Sequence, residues 1–223
     1  MKAAVEIKES VLSSGLERLI GQLIERYPEL DSCSGRIKKA FIILKETFAN
    51  GGKLLVCGNG GSAADAEHIS GELMKGFLKK RPLDTELLVK IKNAGGTDDW
   101  AERLQGSLPV IPLSTNTALI TAISNDLGSD LVYAQQVLGY GKKGDALLAI
   151  STSGRSTNVL RAVMVAKAIG LRTIGLTGEA GGFLKDLCDI TIQAPADETY
   201  RIQEYHLPIY HLLAAMLEEE FFE

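Results

Sequence analysis

The sequence predicts an α/β fold: a five-stranded parallel sheet covered on both faces by helices. Three observations lead there. Strand-like apolar runs recur along the chain, and stretches with helical spacing separate them, the alternation typical of a parallel sheet. One run, 146–150, is apolar throughout, as a strand buried on both faces should be. The 223 residues are 45% hydrophobic and 23% charged, which suits one domain with a sizeable core spanning 1–223.

In order along the chain, Val11, Leu12, Leu16, Leu19, Ile20, Leu23 and Ile24 predict an amphipathic helix within 3–26, stopped near Tyr27-Pro28. Ile37, Ala40, Phe41, Leu44 and Phe48 mark a second helix that ends at Gly51-Gly52. This pair, within 1–50, has no strand before it and is expected to pack together and bury a face against another subunit. The first strand is 53–57. A glycine turn follows and opens at Ser62 into a helix, with Ser62 and Asp65 spaced as a capping box. The stretch 76–108 is polar and reads as an irregular insertion, either a lid or a loop. Within it, Lys79-Lys80-Arg81 reads as a solvated loop.

Pro109 and Pro112 place the next strand, 108–113, at an edge or a strand start. Short helices follow at 115–123, ending in Ser124-Asn125-Asp126, and at 131–138. The strand 146–150 runs into a polar loop, and a helix carrying Val159, Leu160, Val163, Val165 and Ala166 stops at Gly170. Then come a strand at 171–176, a helical turn at 182–187, a last strand at 190–192 and a closing helix at 199–222.

Composition excludes several function classes. A net charge of −4 argues against nucleic acid or an anionic membrane as the main partner. Cys33, Cys57 and Cys188 are scattered, with no Cys-x-x-Cys pair, so neither a disulfide framework nor a thiolate metal site is indicated. The charged N-terminus lacks the apolar core of a signal peptide, and no apolar run nears the ~20 residues of a membrane span. A cytoplasmic protein is expected.

Two strand ends are small and polar. Gly58-Asn59-Gly60-Gly61-Ser62 precedes a helix start, where free amides and the helix dipole suit an anion. Ser151-Thr152-Ser153-Gly154-Arg155-Ser156 offers four hydroxyls in the same setting and is the stronger candidate for a phosphate. Neither fits a Walker or dinucleotide pattern, which disfavours nucleotides. His68 and Glu72, four apart, share a helical face. Gln203 and His211 lie eight apart on the closing helix, about 80° around it. These four side chains form a nitrogen and oxygen set tolerable for zinc, although Gln203 could equally bond a substrate. His206 reads as a surface residue or a support to that set.

Taken in order, Gly-Asn-Gly-Gly-Ser at 58–62, His68-x-x-x-Glu72, Asn125-Asp126, Ser-Thr-Ser-Gly-x-Ser at 151–156, Arg201-Ile202-Gln203-Glu204 and His211 resemble the phosphoheptose isomerases of the sugar isomerase (SIS) domain superfamily. The match runs from the first helix to the last. The resemblance implies a three-layer, flavodoxin-like sandwich, assembled as a homotetramer with active sites at subunit contacts. It implies conversion of sedoheptulose 7-phosphate to D-glycero-D-manno-heptose 7-phosphate through an enediol, for heptose or lipopolysaccharide biosynthesis. By the same match Glu72 is the base and His211 the acid. Asn59, Gly60, Gly61, Ser62, Glu72, Asn125, Asp126, Ser151, Thr152, Ser153, Ser156 and Gln203 bind the sugar phosphate. His68, Glu72, Gln203 and His211 match positions that bind zinc in some members, which implies one ion per subunit.

Three departures stand out. The segment 85–106 is longer than in typical members, Gly76 stands where an arginine is common, and Tyr200 replaces an aspartate found in some members. They leave an isomerase for another phosphosugar as an alternative. A further alternative is a non-catalytic relative that associates with the bacterial replication initiator. Those relatives lack the residues matching Glu72 and His211.

Overall fold

The computed structural model describes residues 12–222. Ten helices and five strands among them alternate as expected. They are α1 (Ser14–Arg26), α2 (Asp31–Ala49), β1 (Leu54–Cys57), α3 (Gly61–Met74), α4 (Thr85–Asn93), α5 (Asp98–Ala101), β2 (Val110–Pro112) and α6 (Thr117–Asp126). They continue with α7 (Val132–Tyr140), β3 (Ala146–Ile150), α8 (Thr157–Ala168), β4 (Arg172–Thr177), α9 (Leu184–Leu187), β5 (Ile190–Gln193) and α10 (Thr199–Phe221).

All strand pairs are parallel, in the order β2-β1-β3-β4-β5. The alternation of side chains along each strand divides the core into two layers. Leu54, Val56, Leu148 and Ile150 face one core with α1, α2, α3 and α10. Leu55, Cys57, Leu147 and Ala149 face the other with α6, α7 and α8. The central strands are buried on both faces, which is why they read as unbroken apolar runs. β2, with its two flanking and terminal prolines, takes the edge.

Three sequence expectations need correction or limits. The first helix starts at Ser14, where the Ser13 hydroxyl accepts from the Leu16 amide; residues 3–11 of the predicted span lie outside the described residues. The stretch 76–108 is not irregular throughout, because it holds α4 and α5. Asp84 caps α4 by accepting from the Leu87 amide at 2.8 Å, and Glu86 pairs with Lys90 one turn on. No residue of α4 is buried, although Leu87, Leu88 and Ile91 share one face of it. The excursion is closed at its base by a bridge between Pro82 and Gln105 and by the Gly106 amide donating to the Arg81 carbonyl.

Finally, His206 is no surface residue: it is fully buried on α10, and neither ring nitrogen makes a hydrogen bond. Burial pulls its imidazole down to about 4, opposed by an approach to the Thr177 backbone too loose to count as a bond. The unfolded chain takes up this proton near 6.5 and the folded chain only near 4. Between those values the unfolded state holds more protons, so stability falls as pH drops. The loss attributable to His206 across this window is on the order of 3 kcal/mol. Denaturant titrations from neutral to mildly acid pH should therefore show a steep loss in the wild type and a flatter one in His206→Leu. Equal slopes would contradict this.

Candidate active site

The sheet supplies the location. Strand order reverses between β1 and β3, and open parallel sheets bind ligands at the carboxyl ends of the strands beside such a point. Both polar loops emerge there. Asn59 in the glycine turn and Asn158 in the first turn of α8 donate to each other's side-chain oxygens at 3.0 and 2.9 Å. The Tyr133 hydroxyl donates to the Gly58 carbonyl and lies 3.3 Å from Asn59 Oδ1. Burial pushes that phenol up to about 12, so it remains a donor.

The glycine turn differs from its sequence reading. α3 begins at Gly61, one residue early, and no side chain caps it. Ser62 is buried against Gly58, and the proposed box with Asp65 does not form. The Ser62 and Ala63 amides are taken by the Asn59 and Gly60 carbonyls. Gly60 sits at φ +57°, which favours glycine, and a side chain on Gly61 would strike the Gln203 amide.

The serine loop is more open to an anion. The Ser151 and Ser156 hydroxyls lie 3.0 Å apart, and the Ser153 hydroxyl accepts from the Arg155 amide at 3.2 Å. The Thr152 carbonyl is fixed by the Gly178 amide and the Thr177 hydroxyl. The Ser156 side chain does not cap α8, and Asn158 Oδ1 accepts from the Val159 amide at 2.9 Å, so it is the Thr157 and Asn158 amides that have no side-chain acceptor. Asn125 and Asp126 lie exposed at the end of α6, where Asn125 Nδ2 donates to Asp126 Oδ1 at 2.8 Å.

The third group comes from two helices far apart in sequence. α3 and α10 lie side by side and run in the same direction: Gly61 meets Gln203, and His68 meets Tyr210 and His211. His68 Nε2 is 3.1 Å from Glu72 Oε1 and 3.5 Å from His211 Nε2. One ligand atom from each of these three residues lies within 4.8 Å of the others. The structure thus brings together three of the four predicted metal candidates. The fourth, Gln203, packs on Gly61, two turns of α3 before His68. Burial lowers the His211 imidazole, nearby His68 lowers it further, and Glu72 opposes them; the ring is a neutral donor at pH 7.

Several residues of this region were not found from sequence. Tyr210, one residue before His211, reaches His68 Nδ1 at 2.9 Å and Asp65 Oδ1 at 3.3 Å. Asn158 lies two residues past the hydroxyl loop. Arg81, read as part of a solvated run, is completely buried. Its Nε donates to Glu218 Oε1 at 2.8 Å, and its other nitrogens donate to the carbonyls of Leu73 and Glu72 at 2.8 and 3.2 Å. Glu218 also accepts from the Phe77, Leu78 and Lys79 amides. Burial alone would raise the Glu218 carboxyl; these amides and the guanidinium outweigh it and hold it low. The pair ties the end of α3, which carries Glu72, to the end of α10.

Comparison with known proteins settles the lineage. The SIS domain family matches residues 20–111 and 101–178. A phosphoheptose isomerase from a Nitratiruptor species is 46% identical over 83% of this chain and 86% of its own. One from Aliarcobacter butzleri is 40% identical over 99% of this chain and 98% of its own. This chain belongs to the phosphoheptose isomerase family. The solved phosphoheptose isomerase of Francisella tularensis superposes with a TM-score of 0.72 at 31% identity, covering 92% of this chain and 96% of that one. The five-stranded SIS fold predicted from sequence is therefore present, and the chain is an isomerase rather than a non-catalytic binding relative. Among the described residues, no helix is long and apolar enough to cross a membrane.

The clamp makes a direct prediction. Glu218→Ala leaves a buried guanidinium without its partner and three amides without an acceptor, and should cost ~3–5 kcal/mol in urea denaturation. A loss below about 1 kcal/mol, the worth of an exposed pair, would contradict the role given to it.

Proposed function

We propose that the chain interconverts sedoheptulose 7-phosphate and D-glycero-D-manno-heptose 7-phosphate by proton transfer between adjacent carbons. The observation that carries this reading is the meeting of Glu72 and His211, from helices far apart in sequence, around His68, in a chain that also presents a hydroxyl loop at the end of β3. Ser151, Thr152, Ser153 and Ser156 hold the phosphate, and Asn59, Gly60, Gly61, Ser62, Asn125, Asp126 and Gln203 surround the sugar. Glu72 removes the proton from the carbon next to the ketose carbonyl, and a proton that has exchanged with solvent returns to the neighbouring carbon. His211, neutral at pH 7, donates its N–H to the oxygen that gains charge. Anchoring the phosphate at the far end sets the reacting carbons in place.

The donor set of two imidazoles and a carboxylate, with Gln203 as a candidate fourth ligand, fits zinc. Bound there, zinc would supply Lewis-acid stabilisation of the enediolate. We further propose a homotetramer whose subunit contacts border the site. In support, a groove of about 550 Å³ lined by Leu19, Leu23, Phe77, Leu78, Leu207 and His211 opens beside it. Three free buried thiols and a phosphorylated substrate suit a cytoplasmic location.

The test is an assay of Glu72→Gln on a panel of ketose phosphates, with zinc or a chelator. Turnover of sedoheptulose 7-phosphate should fall by at least roughly 10²–10⁴-fold, while the substrate still protects the variant thermally. Retained turnover would remove Glu72 as the base, and wild-type preference for another ketose phosphate would replace the substrate.

A further inference from the structure

Tyr210 is 3% exposed, and its hydroxyl stands between two groups that compete for it. His68 Nδ1 is 2.9 Å away and Asp65 Oδ1 is 3.3 Å away. A phenol has one proton to give. Asp65 Oδ2 is buried with no partner among the described residues. If the phenol donated to His68, neither oxygen of this half-buried carboxyl would have a donor from the protein, and an acceptor left unpaired away from water costs about 1–3 kcal/mol, more when charged. The proton therefore belongs to Asp65. The phenol oxygen is left as an acceptor, and His68 must carry its own proton on Nδ1 to fill it.

We infer that Tyr210, turned by Asp65, locks His68 in the Nδ1–H tautomer and so points a bare Nε2 at Glu72 and His211. Both are positioning residues, acting through His68. The edge-on packing of the His68 and Tyr210 rings, at 74° and 5.5 Å between centroids, holds the imidazole in that orientation. The consequence lies 3.1 Å away, where the bare nitrogen faces Glu72 Oε1. Two lone pairs facing each other at that distance repel, which makes the pair a seat for a cation, either a proton or a metal ion. A metal-binding histidine whose second nitrogen donates to a fixed acceptor is the arrangement that raises ligand basicity and sets ring direction. The zinc arm of this inference rests on the metal reading proposed above, whereas the tautomer does not.

The experiment is ¹⁵N NMR of histidine-labelled, zinc-free protein at alkaline pH, where imidazoles are neutral. With three histidines in the chain, His68 is assignable by substitution. The wild type should show protonated Nδ1 and bare Nε2 at His68. Tyr210→Phe, which removes one hydroxyl and keeps the ring, should move the proton towards Nε2. Asp65→Ala, which frees the phenol proton for Nδ1, should do the same. Zinc titration calorimetry should show Tyr210→Phe weakened by roughly 10–100-fold. Nε2–H in the wild type, or an unchanged His68 pattern in Tyr210→Phe, would overturn the inference. A wild type that binds no zinc yet keeps Nδ1–H would overturn the metal reading and uphold the tautomer lock.

Discussion

The side-by-side run of α3 and α10 is the constraint on which the site depends. These helices are separated by more than half the chain, yet they touch at three levels. Gln203 packs on Gly61, Tyr210 and His211 meet His68, and Glu218 binds Arg81 under the end of α3. A slide of one turn, about 5.4 Å, would separate every functional pair. A buried ion pair often adds little net stability over an apolar replacement. Its contribution here is register: Arg81 holds the carbonyl of Glu72 itself, so the proposed base is tied through its own backbone to the helix that carries the proposed acid.

The site divides its work by distance from the sheet. Small polar groups gather at the ends of β1 and β3, where the start of α8 favours negative charge beside the loop hydroxyls. Titratable groups gather on the α3–α10 seam instead. Asp65, half-buried there, has its carboxyl raised by that burial, against the pull of Tyr210 and His68. Separating the anion seat from the proton-handling groups lets a phosphate anchor a sugar without disturbing the groups that move its protons.

What was legible in the sequence follows from the range of each interaction. Strands buried on both faces carry their signal locally, and β3 was predicted at its observed bounds. His68 and Glu72 were visible because one helical turn joins them. The Ser62–Asp65 box was misread because the same three-residue spacing occurs when a helix starts one residue earlier, and Asp65 is then claimed by Tyr210. Tyr210 and Arg81 were invisible for a different reason. Their roles exist only once α3 and α10 are paired, and a lysine–arginine run shows no sign of which member turns inward. α4 escaped because its stripe of Leu87, Leu88 and Ile91 is barely one turn long and sits in an otherwise polar stretch, where a cap and an ion pair define the helix instead.

Proton transfer through an enediolate is the central step proposed for the Glu72–His211 site. Isomerisation of sedoheptulose 7-phosphate by the wild-type enzyme in D₂O, followed by proton NMR of the product, reads this directly. Deuterium at C2 of the aldose product is the predicted result, because a carboxylate base exchanges its proton with solvent during turnover. Complete conversion with only protium at C2, as a direct hydride shift would give, would contradict it.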